Sequence, residues 1–216
     1  ELFEAWVEKH PNVMLYTYYY TYFVFGWYER PIWYRVQNDF QYYADRGVLG
    51  LRVENRSGEG NDSMCNWQLA EFDKSQEHTT FFTADGASKM NQLSFWLFYK
   101  LAWNPYEDVD ALIVEFCDKV YGEASPHMQE YYRLLEEGWK VGGEIIPTEF
   151  NAKINLIRDA QYYYDYFMDF ELEDGTYYPD AVRDVLTKAY EAADDRAKEF
   201  IRRPYECFLD WERFIG

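Results

Sequence analysis

The feature that most constrains this chain is the order in which its hydrophobic patterns succeed one another. Residues 13–20 (VMLYTYYY) are β-branched and aromatic, as a strand requires. Residues 32–46 (IWYRVQNDFQYYADR) instead bring Ile32, Val36, Phe40 and Tyr43 to one side at helical spacing, and Gly47 supplies a natural stop. Residues 47–54 (GVLGLRVE) return to strand-like alternation. Two strands separated by a helix imply a parallel βαβ unit, because antiparallel neighbours need no crossover. Two parallel strands do not make a stable sheet alone: parallel sheets are normally covered on both faces, and two-stranded sheets are marginal.

Outside the strands the pattern is mostly helical. Residues 1–9 read as the last turns of a helix, with Leu2, Phe3, Trp6 and Val7 on one face. After a polar stretch at 55–87, helices are expected at about 88–102, 108–121, from Ser125-Pro126 to about Trp139, at 149–169 and at 179–202, the last ended by Pro204. In the second of these, Val109, Leu112, Phe116 and Val120 form an amphipathic stripe ended by Gly122. The expected fold is α/β: the C-terminal part of a TIM-like (β/α)₈ barrel over residues 1–103, then an all-helical region over 104–216. A complete barrel takes about 250 residues, so further strands are expected upstream in the same protein or on another copy. The opening Glu1-Leu2-Phe3-Glu4, inside a helical pattern and with no initiator Met or signal sequence, fits a piece of something longer. A doubly wound sheet is the weaker alternative, since no glycine-rich phosphate loop follows either strand.

Charge and composition exclude several roles. Lys plus Arg number 21 against 39 Asp plus Glu, a net charge of −18. Such a surface repels phosphate backbones and anionic lipids, which speaks against nucleic-acid and polybasic membrane partners. No stretch approaches the roughly 20 apolar residues of a membrane span. Cys65, Cys117 and Cys207 have no short spacing, and His10, His78 and His127 form no ligand pair at helical spacing, so neither metal nor cofactor is expected. The outlying quantity is aromatic: 22 Tyr, 16 Phe and 8 Trp. Tyr in particular offers a flat apolar face together with a hydroxyl.

The sharpest chemical signal lies in the second strand. Alternation puts Leu49, Leu51 and Val53 on one face, suited to packing under helices, and Gly50, Arg52 and Glu54 on the other. In a barrel that second face points inward, and Glu54 then stands at the C-terminal strand end, where barrel active sites are built. A carboxylate there suits glycoside hydrolysis; the weaker alternative is that Glu54 is the ion-pair partner of Arg52 or Arg56. The candidate site comprises Glu54 as catalytic residue, with Arg52, Tyr18, Trp27, Tyr28, Asn55 and Trp67 as substrate-binding residues. Aromatics at 21–28 suit a carbohydrate cleft and almost as well an interface.

The segment GVLGLRVEN, the polar stretch after it, and MNQLSFWLFYKLAWNPYEDVDALIVEFCDKVYGEASPHMQEYYRLLE resemble the end of a bacterial barrel family, domain of unknown function 4838 (DUF4838). The resemblance covers roughly residues 1–137. It implies a TIM-like barrel related to those of alpha-glucuronidases, in a secreted, periplasmic or cell-surface protein acting on polysaccharide-derived glycans. Glu54 matches the family's strand-end glutamate. Two positions depart from the pattern: Thr17 stands where members tend to carry an acidic residue, and Arg52 where an apolar one is usual. The chain is thus read as glucuronidase-like, with two alternatives: a non-catalytic glycan-binding barrel, or a helical module docking on a partner domain.

Overall fold

The computed structural model describes residues 2–10, 12–20, 29, 31–55, 92–145 and 168–215. In chain order these form α1 (Leu2–Lys9), β1 (Met14–Tyr20), α2 (Trp33–Asp45), β2 (Gly50–Asn55), α3 (Gln92–Trp103), α4 (Val109–Tyr121), α5 (Ser125–Ile145), α6 (Tyr178–Ala192) and α7 (Asp195–Ile215), with a 3₁₀ turn at Gly122–Ala124 between α4 and α5. Among the described residues the protein is mostly helical, with one two-stranded parallel sheet. The strands pair in register Met14↔Gly50, Tyr16↔Arg52 and Thr17↔Val53, with an irregularity before Tyr20↔Asn55. The parallel βαβ unit expected from the sequence is present.

Several local expectations hold for the reasons that suggested them. Val36 and Phe40 are buried on α2, and Ile32 just before it. Gly47 and Gly122 both take positive φ, 74° and 54°, which an L side chain rarely adopts. Beyond what the sequence reading expected, α4 is capped by Asp108, whose Oδ1 accepts from the Ala111 amide at 3.1 Å. α2 is fastened to the turn after α3 by Gln37, donating to the Glu107 carbonyl at 2.6 Å, and by Gln41, donating to the Pro105 carbonyl at 2.9 Å.

One apolar core runs through α2 to α7. It holds Trp33, Leu93, Leu97, Leu101, Leu112, Phe116, Tyr121, Met128, Leu134, Leu186, Ile201 and Phe208. Contacts follow the chain pairwise, α2 with α3, α3 with α4, α4 with α5, α5 with α6 and α6 with α7, and α7 closes back onto α4. Three buried tyrosines are satisfied internally: Tyr178 donates to the Leu134 carbonyl at 2.6 Å, and the Tyr121 and Tyr132 hydroxyls lie 2.8 Å apart.

Four expectations are corrected. The helix after Ser125 does not end near Trp139 but runs to Ile145, through Gly142 and Gly143; its packing overrides the cost of two glycines. The single helix expected at 179–202 is two helices. Ala193 is extended, and Asp194 caps α7 by accepting from the Ala197 amide at 2.7 Å. Pro204 does not stop α7 but lies buried inside it. Leu49 does not pack under helices: β2 starts one residue later, and Leu49 is 65% exposed. The helix expected at 149–169 falls almost wholly outside the described residues.

Candidate functional site

β1 and β2 run parallel, so their C-terminal ends lie side by side at Tyr20 and Asn55. The stretches 21–28 and 56–91 therefore leave the same end of the sheet. The two faces of the sheet differ. Leu51 packs against the helical core, and Thr17, paired with Val53, has a buried hydroxyl without a hydrogen-bond partner among the described residues. Tyr16 and Arg52 form the other face. Both are exposed, and the Arg52 guanidinium lies 5.3 Å from the centre of the Tyr16 ring. At that distance a cation is drawn to the ring face, by about 0.5–1 kcal/mol at an exposed site.

The residues singled out from the sequence fall into two groups. Tyr18 lies in β1, and Glu54 and Asn55 form the end of β2, so backbone placement is given while their side chains lie outside what is described. Trp27, Tyr28 and Trp67 lie outside the described residues altogether. Arg52 alone has a described side chain, and it meets Tyr16. Thr17, where an acidic residue is usual, sits on the Leu51 side of the sheet, so its identity does not alter the Tyr16–Arg52 face.

Sequence reasoning missed one residue. Glu29, on the return from β1, is only 2% exposed. Its Oε1 accepts a hydrogen bond from the Ser94 amide in the first turn of α3, at 2.7 Å. Burial pushes its carboxyl up to about 8, against the opposing pull of the hydrogen bonds from Ser94. Its charge reaches the Cys117 thiol and the hydroxyls of Tyr121 and Tyr132, all three held above their ordinary range mainly by burial. The available signal was a single acidic residue among aromatics, just before Pro31, where a charge finds little water. Among the described residues no group of His, Cys, Asp and Glu could hold a metal ion. No described helix is long and apolar enough to cross a membrane.

The family profile described as domain of unknown function (DUF4838) matches residues 1–133, more than half of the chain. The chain belongs to the DUF4838 family. The match takes in both strands, α2, α3 and α4 and ends within α5, so the Tyr16–Arg52 face and the end of β2 lie inside the DUF4838 region, whereas α6 and α7 lie beyond the match. No curated protein and no solved structure matches the chain.

Proposed function

We propose that this DUF4838 chain is the C-terminal part of a TIM-like barrel in a carbohydrate-active protein, a glucuronidase-like glycoside hydrolase that acts outside the cytoplasm on polysaccharide-derived glycans. The observation that carries the reading is the parallel pair itself. It sets Glu54 at the C-terminal end of a strand, beside the matching end of β1 and ahead of a long polar stretch, the position from which barrel enzymes work. The open face behind it carries a cation over a ring, a pairing suited to a sugar that bears a carboxylate. A sheet of two parallel strands with one face exposed calls for further strands, which in a barrel come from the rest of the protein or another copy.

Glu54 supplies one carboxylate of the pair that glycoside hydrolysis uses, as acid/base or nucleophile, and the second stands on another strand. The test is hydrolysis of 4-nitrophenyl α-D-glucuronide by the protein and by its Glu54→Gln variant. Turnover should fall by about 10²- to 10⁴-fold, the usual share of general acid–base catalysis, with folding and glycan affinity kept. Glycan binding without turnover in the unaltered protein would favour a non-catalytic binding barrel. Loss of folding stability by roughly 1–3 kcal/mol with activity retained would make Glu54 a structural partner instead.

A further inference from the structure

The contact between Glu29 and Ser94 joins two places that the chain order keeps far apart. The first amides of an α-helix have no carbonyl partner within the helix and face outward with positive polarity. A residue just before the helix usually accepts from them. In α3 an acceptor for Ser94 comes instead from 65 positions earlier in the chain. Glu29 lies where the stretch leaving β1 returns to the core, next to buried Pro31 and Ile32. Ser94, itself fully buried, lies where the stretch leaving β2 returns. The Glu29–Ser94 contact thus ties together the points where the two stretches that leave the C-terminal end of the sheet return to the core. A carboxyl group buried to this degree is costly unless it is bonded, and an apolar side chain would fill the same volume without that cost. The Glu gives directionality that an apolar residue lacks, because only an acceptor fixes the position of one particular amide.

We propose that Glu29 is a positioning residue, a clasp whose bond to Ser94 sets the return from β1 and the first turn of α3 relative to each other, and through them the strand ends beside Glu54. The consequence for activity rests on the glycosidase reading of Glu54; the clasp itself does not. At 2% exposure Glu29 is not placed to meet a substrate directly.

Residue-resolved amide exchange in the protein, in Glu29→Ala and in Glu29→Gln tests the clasp without any assay of activity. In Glu29→Ala, read at pH 6 where the buried carboxyl is neutral, the Ser94 amide should exchange about two- to tenfold faster, the worth of a buried hydrogen bond between neutral groups. Amides of Leu134 in α5 and Leu186 in α6 should keep their rates. Glu29→Gln, which retains an acceptor oxygen, should restore most of the protection. Glu29→Leu fills the volume without an acceptor and gives the same readout should the alanine variant fail to fold. On 4-nitrophenyl α-D-glucuronide, the alanine variant should lose kcat/KM while the shape of its pH profile is kept, as expected of a residue that positions and does not transfer protons. Unchanged Ser94 exchange would overturn the clasp. Equal acceleration in every helix would also overturn it, because Glu29 would then support the whole fold and not one junction. Faster Ser94 exchange in a protein that never hydrolyses the probe would leave the clasp standing and remove the glycosidase reading.

Discussion

The helical region and the sheet of this protein are finished to different degrees. In the helices Leu93, Leu97, Leu101, Val182, Leu186 and Ile201 are all fully buried. Around the sheet, Met14 is 67% exposed, Tyr16 50% and Leu49 65%, and α1 has no buried residue although it carries Leu2 and Trp6. α1 is held to α2 by the rings of Phe3, Tyr42 and Tyr43 and by the Arg46–Glu4 ion pair at 3.1 Å. The contrast teaches where the two regions get their stability. Among the described residues the helices bury their apolar stripes against one another, although Tyr99 and Trp103 of α3 stay exposed. The sheet has a covered face on the core and an open face of apolar and aromatic side chains, an arrangement that parallel sheets avoid unless something else lies against them.

Substitutions in the two regions should separate them. Leu97→Ala or Leu186→Ala should cost about 2–5 kcal/mol, because each leaves a cavity that the packed helices cannot close. Tyr16→Ala should stay within about 0.5 kcal/mol, since the ring is half exposed and lies against Arg52 on the open face. Denaturant titration of the variants checks both, and a Tyr16→Ala loss as large as the core losses would mean that the open face is covered in solution.

The junction between the regions should be sensitive to pH. The Glu29 carboxyl is raised from 4.5 to about 8 by burial, so the folded state prefers it protonated. Its contribution is complete below about 4.5 and is lost as pH rises through about 8, a change of a few kcal/mol across that window. Cys117, Tyr121 and Tyr132, which feel its charge, stay neutral throughout. Urea unfolding at pH 5 and pH 8.5 should therefore show a falling stability that Glu29→Gln flattens, and an equal slope in both proteins would contradict the assignment.

A smaller effect belongs to the break between α6 and α7. Asp194→Ala removes the cap on the Ala197 amide and should cost about 1 kcal/mol. Thermal melting reads it, and no change would mean that the break is held by packing alone.

How legible these features were depended on how local their causes are. The α2 stripe and the glycines at 47 and 122 each act within a few residues, and the sequence pattern shows them directly. The run of Ala192, Ala193 and Asp194 also reads as helix, because its stripe continues across the break; only the capping bond reveals two helices. Pro204 reads as a stop because a proline removes a helical donor, yet packing keeps it inside α7. Glu29 was out of reach for a different reason. Its partner is set by the fold and not by spacing, so no periodicity points to it. At the candidate site, alternation along β2 set Arg52 apart from Leu51, and the structure keeps them apart. Alternation did not reveal that Tyr16 would lie beneath the guanidinium, since that pairing depends on strand register.

The central claim, that glycans act on the open sheet and not on the helices, is tested most directly by amide exchange with and without a xylo-oligosaccharide bearing glucuronic acid. The account predicts slower exchange over β1, β2 and the stretches that leave their C-terminal ends, with α6 and α7 unchanged. Protection confined to α6 and α7, or no protection anywhere at saturating oligosaccharide, would contradict it.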